Sequence, residues 1–302
     1  MSKILCTGGA GFICSHLVDR LIDLGHNVVV VDDLSTGKRK NVNKKANMIL
    51  IGLTDAMQDV FNYHKFDYVF HLAAQINLRK SIENPYLDAH VNILGSLNVL
   101  ENAARTGVKK VIFASSGGAV YSKFAAQPWT ENSPVEPESP YGLAKFTVEQ
   151  YLRIFKVTRG LEFAALRYSN VYGPRQNAEG EAGVVSIFAD RARKNLDLIV
   201  FGDGLQTRDF IYVDDVVQAN LHVLENDLSG IYNVATEQTT NVNEVADVIL
   251  RHTKSDSRLI HGDAIPGELK MTALSSRKLR ETGWAPQIGF ADGISKTLFY
   301  ID

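Results

Sequence analysis

Tyr141 and Lys145 stand four residues apart in "SPYGLAK" (Ser139–Lys145), and two adjacent serines, Ser115 and Ser116, lead into the glycines of "SSGGAVYS" (Ser115–Ser122). On a helix, positions i and i+4 share a face, so phenol and ammonium project together. An ammonium beside a phenol stabilises the phenolate, and Tyr141 is expected to fall from about 10 toward neutrality and serve as acid or base. The bland reading of the same pair is an aromatic ring stacked along a lysine stem, and with 11 tyrosines one such spacing is unremarkable. A strand-end hydroxyl can face the phenol across a substrate. Ser116 is the first choice and Ser115 the second, the alternative for each being a serine that caps its own turn.

These residues need a frame, and hydrophobic periodicity supplies one. Short runs rich in Val, Ile and Leu predict six strands at Lys3–Thr7, Asn27–Asp32, Asn47–Ile51, Asp67–Ala73, Lys110–Ser116 and Glu162–Arg167. Helical stretches intervene: one from Phe12 that stops at Gly25, and long ones over Pro85–Thr106 and Tyr141–Thr158. Alternation of this kind predicts an α/β fold, a Rossmann-like doubly wound parallel sheet with a smaller C-terminal substrate-binding lobe. After Arg167 the rhythm breaks at the polar, glycine-rich "GPRQNAEGEAG". The expected division is a dinucleotide-binding domain over residues 1–170, with 209–236 packing back onto it, and a lobe over 171–302.

A cofactor site is expected where "TGGAGFIC" follows the first strand and opens the first helix. Gly8 and Gly11 let the backbone approach a pyrophosphate, and the free N–H groups of the helix start favour an anion. The second strand ends in Asp32 and Asp33, where carboxylates can accept hydrogen bonds from ribose hydroxyls and repel a 2′-phosphate, so NAD is preferred over NADP. Lys38 and Arg39, just downstream, read as a solvated face. Cys14 stands where such folds want a third glycine, and the expectation is a slightly displaced helix or weaker cofactor retention.

Bulk properties restrict the partners. A formal charge of -2 over 302 residues leaves no basic field for nucleic acid or an anionic membrane. Two cysteines make no disulfide framework or metal spacing, and neither a signal segment nor an apolar run of about 18 residues is visible. The expectation is a cytoplasmic protein with no metal.

Taken in order, "TGGAGFI", "VVVVDDLSTGK", "VFHLAAQ", "VNILGSLNVLE", "SSGGAVY", "SPYGLAK", "LRYSNVYGPRQ", "FGDGLQTRDFIYVDDV" and "PGEL" resemble the extended short-chain dehydrogenase/reductases of the nucleotide-sugar branch, closest to the UDP-glucose 4-epimerases. The likeness runs nearly end to end. It implies NAD-dependent epimerisation at C4 of a UDP-hexose through a transient 4-keto sugar, with Ser116, Tyr141 and Lys145 catalytic and Tyr141 taking the proton of the sugar 4-hydroxyl. It implies cofactor contacts at Gly8, Gly11, Phe12, Ile13, Asp32, Asp33, Ser35, Thr36, Gly37, Leu53, Leu72, Ala73, Ala74, Gln75, Asn92, Tyr141, Lys145 and Tyr168. For the sugar nucleotide it implies Ser116, Tyr141, Asn170, Val185, Arg208, Glu268 and Thr272. Family members commonly pair through the two long helices, so a homodimer is implied too. Because hydride must return to the opposite face of C4, binding strength belongs on the nucleotide, with the hexose held loosely.

Relatives within this branch are separated by their acids. Sugar 4,6-dehydratases carry an acidic pair beside the serine or threonine, and nucleotide-sugar decarboxylases a glutamate before "VY"; here Gly117, Gly118 and Ala119 occupy that segment. A nucleotide-sugar reductase preferring NADPH is disfavoured by Asp32 and Asp33, and a non-catalytic NAD-binding scaffold by retention of the Ser–Tyr–Lys set. Thr272, where some members place a bulky tyrosine, suggests room for N-acetylated hexoses. The chain departs from the family pattern at Ile265 (an arginine in "RPGE"), Ser122 (a glycine in "VYG") and Gly52–Leu53, where an adenine-contacting aspartate is missing. Arg258, Lys270 and Arg277 are the candidates to compensate.

Overall fold

The computed structural model describes residues 1–178, 183–265 and 269–300. Its centre is a seven-stranded sheet in the order β10-β6-β5-β4-β1-β2-β3, built from β1 (Lys3–Thr7), β2 (Asn27–Asp32), β3 (Asn47–Leu50), β4 (Tyr68–His71), β5 (Lys110–Ser116), β6 (Glu162–Tyr168) and β10 (Gly230–Val234). Every neighbouring pair runs parallel. Parallel strands need crossovers that cover both faces, which is why β1, β5 and β6 read as nearly unbroken apolar runs. One face packs under α1 (Phe12–Asp23) and α9 (Val213–Glu225), with Leu17, Leu21 and Val216 in its core. The other lies under α2 (Gln58–His64), α5 (Gly95–Thr106) and α7 (Pro140–Arg159), with Phe61, Val99 and Leu152.

Two predicted strands are shorter than expected: β3 stops at Leu50 and β4 at His71. The Leu72 N–H keeps one last backbone bond to the Thr7 carbonyl, at 3.3 Å, and pairing stops there because the Ala73 N–H turns to the Thr7 hydroxyl, at 3.2 Å. The long helix expected from Pro85 is interrupted. After α3 (Leu78–Glu83), α4 (Pro85–Ala89) gives way to a π-helical turn at His90–Leu94 before α5. Such wide turns insert an extra residue and redirect side chains inward. The short α6 (Gly117–Val120) follows β5.

The remaining elements build a second layer of smaller sheets. β7 (Asn170–Tyr172), β9 (Thr207–Tyr212), β11 (Thr239–Asn241) and β13 (Met271–Thr272) form one, and β8 (Leu198–Phe201) pairs with β12 (Leu259–Gly262). They pack with α8 (Val184–Arg193), α10 (Val242–Thr253) and α12 (Phe290–Tyr300) around Tyr172, Phe188 and Phe210. Helix α11 (Arg277–Arg280) lies against β10.

Candidate active site

The helix that carries Tyr141 starts sharply. Pro140 sits in its first turn, and the Ser139 hydroxyl accepts the Gly142 N–H at 3.1 Å, capping one of the orphan donors. Gly142 is required by packing: a Cβ there would lie 2.2 Å from the Ala119 carbonyl oxygen. Helix α7 can therefore press against α6, which carries the chain on from Ser116. That contact sets the distance between strand end and phenol.

Lys145 is 4 % exposed, and its ammonium donates to the Ala114 carbonyl at 2.8 Å. The same nitrogen lies 4.8 Å from the Phe113 ring centroid and 5.7 Å from that of Tyr141. Burial lowers its pKa to about 8, against the opposing charges of Asp88 and Glu149. Tyr141 behaves opposite to the sequence expectation. Burial of the phenol, reinforced by the Asp88 charge, pushes it up to about 12, and only a hydrogen bond with the Ser116 side chain pulls it down. The ammonium, turned to a carbonyl, does not deliver the expected lowering.

The two serines divide. Ser115 donates to Glu149 at 2.6 Å and is buried beneath the helix. Glu149 also takes the Arg167 guanidinium through Nε at 2.9 Å and Nη2 at 2.6 Å, while Arg167 stacks 4.8 Å over the Tyr121 ring. Ser116 is left facing the phenol. At the carboxyl edge of the sheet, Ser116, Tyr141 and Lys145 thus meet; Glu149 and Arg167, absent from the sequence-based candidates, brace the strand end from behind.

The glycine turn lies across the switch in strand order between β1 and β4, where doubly wound sheets bind ligands. Gly8 has φ +75°, and a Cβ on it would meet the Ala73 backbone at 2.8 Å. Gly11 caps α1 without a side-chain bond, and the first turn carries no acid, so its N–H groups suit an anion. Asp32 is 8 % exposed and accepts the Ala10 N–H at 2.9 Å and the Leu34 N–H at 2.8 Å, so it holds the turn's shape as well as its charge. Asp33 is exposed and accepts the Ser35 N–H at 2.8 Å. The position lacking the expected aspartate has a neighbour: Asp55 bends back to the Gly52 N–H at 2.7 Å. A backbone-lined cradle, an uncapped helix start and acids at the strand end fit a dinucleotide. Cys14 is 2 % exposed and unoxidised, its thiol in a hydrogen bond with that of Cys6, and that contact together with burial raises it well above the usual thiol range.

A buried hydrogen-bond chain joins β1 to the π turn. His71 bridges the Thr7 hydroxyl at 2.7 Å and the Ser96 hydroxyl at 2.9 Å, and Ser96 donates to the Asn92 carbonyl at 2.5 Å. Since Thr7 also accepts the Ala73 N–H, the chain is satisfied when His71 accepts at Nδ1 and donates from Nε2. Asn92 then reaches the strap after β4, accepting the Gln75 N–H at 2.7 Å and donating to the Gln75 carbonyl at 2.9 Å.

Of the remaining cofactor candidates, Phe12, Ile13, Leu72, Ala73 and Ala74 flank this turn and strap and are partly buried, while Ser35, Thr36 and Gly37 follow Asp33 in the loop after β2. Leu53 is buried against Gly95. The Tyr168 side chain points into the core and bonds Asn220.

On the sugar side, Thr272 pairs in register with Arg208. Asn170 and Thr272 line a small pocket with Gly118, Trp129, Ser169 and Leu274. The Thr272 hydroxyl is buried there without a partner. Arg208 donates to the carbonyls of Thr207 at 2.9 Å and Leu269 at 2.8 Å. Val185, by contrast, is 1 % exposed in the core of the lobe. Glu268 lies outside the described residues. Arg258 and Arg277 pair with Asp197 and Glu281, and Ile265 is exposed. A separate cavity of about 550 Å³ between α8, α10 and α12 shares no residue with this site.

The chain is similar to known proteins along nearly its whole length. Residues 4–235 match the model of the NAD dependent epimerase/dehydratase family. A UDP-glucose 4-epimerase of Mycolicibacterium smegmatis is 39 % identical over 305 residues, spanning 98 % of this chain and 97 % of that one. The crystal structure of a UDP-glucose 4-epimerase of Thermotoga maritima with UDP-glucose superposes with a TM-score of 0.95 at 42 % identity, covering 99 % and 98 % of the two chains. That of the Thermus thermophilus enzyme in complex with NAD gives 0.93 at 40 % identity, again covering 99 % and 98 %.

Proposed function

Because the chain belongs to the NAD dependent epimerase/dehydratase family, we propose that it is an NAD-dependent isomerase that interconverts UDP-galactose and UDP-glucose at C4. One observation carries the choice of reaction: Tyr141, Lys145 and Ser116 meet beside the glycine cradle, and the turn after Ser116 presents Gly117, Gly118 and Ala119 with no carboxylate. Expelling a 6-hydroxyl needs an acid and a base beyond the tyrosine, and that turn offers neither. Epimerisation asks only for a proton acceptor and a redox partner.

In this reading Tyr141 takes the proton from the 4-hydroxyl at its phenol oxygen and returns it after the sugar has turned. Ser116 orients the same oxygen, and Lys145 holds a positive charge behind it. Bound NAD would supply the hydride acceptor and donor that the 4-keto step requires. Asp32, Asp33 and the Gly8–Gly11 turn would hold it, residues 1–170 and 209–236 forming its domain. The lobe over 171–302 would hold the sugar nucleotide, Arg208 and Asn170 at the diphosphate and Thr272 at the hexose. A threonine with a free hydroxyl at that end supports acceptance of N-acetylated hexoses.

Leu94, Leu143, Ile154 and Val157 are exposed apolar side chains on the π turn and α7, which supports a homodimer through these helices; light scattering tests it. No helix among the described residues is long and apolar enough to cross a membrane. Two free, buried thiols fit the reducing cytoplasm. The reaction is tested by incubating UDP-galactose and UDP-N-acetylglucosamine with protein and NAD and identifying products by NMR. The matching 4-epimers are expected, and a 4-keto-6-deoxy sugar, or no epimer from either substrate, would overturn the reading.

A further inference from the structure

Asp88 is 1 % exposed on α4, the short helix wedged between α3, the π turn and the catalytic helix. Its Oδ1 accepts two hydrogen bonds, from Gln75 Nε2 at 3.0 Å and Asn92 Nδ2 at 2.9 Å. Its Oδ2 is buried with no partner. A protonated carboxyl would leave an O–H there with nothing to donate to, whereas the ionised form has both of its donors and a cation nearby. The π turn makes this arrangement: it swings Asn92 back onto the carboxylate four residues earlier while keeping its grip on the Gln75 backbone. An unpartnered buried carboxylate oxygen is costly to keep, so a fold that retains one invites a functional explanation.

We propose that Asp88 is a positioning residue that sets the charge balance of the Tyr141–Lys145 pair, its Oδ1 clamping Gln75 and Asn92 and its unpaired Oδ2 placing a buried carboxylate charge on the helix packed against theirs. The inference rests on reading Tyr141 and Lys145 as the acid–base pair. Asp88 acts on both in one direction, raising the proton affinity of the phenol and of the amine. Lys145 in turn acts on Asp88, opposing the rise that burial imposes. The other charges facing the pair are Glu149, bound to Arg167 of β6, and His71 of β4, which stays neutral. Around α4 the other ionisable groups include Arg79, Lys80 and Glu83 on α3, Tyr86 on α4 itself, and His90 on the π turn, stacked on Tyr86. Without Asp88 the site would surrender protons too readily, and Lys145 would be neutral over more of the working range.

The test is Asp88→Asn in the full chain loaded with NAD. The amide keeps the shape and one oxygen for Gln75 and Asn92 while removing the charge. Both limbs of the pH profile of kcat/KM for UDP-galactose should move toward acid, by about half to one unit. The tyrosinate absorbance lost in Tyr141→Phe should titrate lower by a similar amount. A fall in kcat with both limbs and the tyrosinate titration unmoved would reduce Asp88 to a packing role and overturn the proposal. If Asp88→Asn does not fold, Asp88→Ser, smaller and also neutral, is read the same way. A shifted titration in a protein that turns over no UDP-hexose would sink the proposed reaction and leave Asp88 standing; turnover with unmoved limbs would do the reverse.

Discussion

Lys145 donates its buried ammonium to the Ala114 carbonyl at 2.8 Å, so the cation is anchored to the strand that delivers Ser116 and not to the phenol of its own helix. Its pKa, lowered to about 8 by burial, gives the first prediction. Below about 8 the amine holds its charge; above it the charge is lost. The pH profile of epimerase activity should therefore break near pH 8, where the gain from ionising the phenol is offset by the loss of the ammonium charge, and Lys145→Met, permanently uncharged, should lose that break together with about 100-fold or more of the activity at neutral pH. A profile with no break near pH 8 would contradict this.

His71 predicts how stability depends on acid. Burial and the facing Lys145 charge depress the ring from 6.5 to about 3. As pH falls through about 6.5 the unfolded chain takes up a proton that the native ring refuses, so stability present above that value is lost progressively toward pH 3, by up to about 1.4 kcal/mol per unit. Urea midpoints measured across this window should decline less steeply in His71→Asn.

Glu149 and Arg167 form an ion pair with side chains 0 % and 2 % exposed. Removing one partner strands a buried charge, so Glu149→Ala should destabilise by about 3–5 kcal/mol. The Glu149→Leu/Arg167→Met double variant should recover much of that loss. Denaturation midpoints decide it, and equal losses in single and double variants would show that the pair is not the cause.

Gly142 gives a geometric prediction. With the Ala119 carbonyl oxygen 2.2 Å from where a Cβ would stand, Gly142→Ala must push α7 away from α6. Displacing Tyr141 from Ser116 by about 1 Å should cost about 100-fold in kcat, while NAD binding, measured by fluorescence titration, changes little. An unaltered kcat would mean the phenol does not depend on this contact.

How far the sequence was legible follows the range of the forces involved. β1, β2 and β5 have the ends their apolar runs predict, and the Tyr141–Lys145 spacing is realised on a helix, because both patterns are local. β4 ends early because Ala73 answers to Thr7, 66 residues away. The break at His90–Leu94 lies in a stretch with ordinary helical period. His71 and Arg167 acquire meaning only from distant partners, and nothing in their own segments singles them out; Asp88 and Glu149 do carry a local signal, each four residues from a candidate, Asn92 and Lys145. Val185 has an apolar side chain at a helix start, which the lobe takes into its core. The Tyr141 shift runs opposite to its local signal for a related reason: a sequence displays the lysine one turn away but neither the depth of burial nor the carbonyl that captures the ammonium.

In the proposed reaction the phenol of Tyr141 carries the proton of a C4 epimerisation. That role is read from the rate at which purified protein with NAD converts UDP-galactose to UDP-glucose, measured for wild type and Tyr141→Phe after both are shown to bind NAD and UDP equally. Conversion is expected in the wild type, with a loss of at least about 100-fold in the variant. Undiminished conversion without the hydroxyl would contradict it.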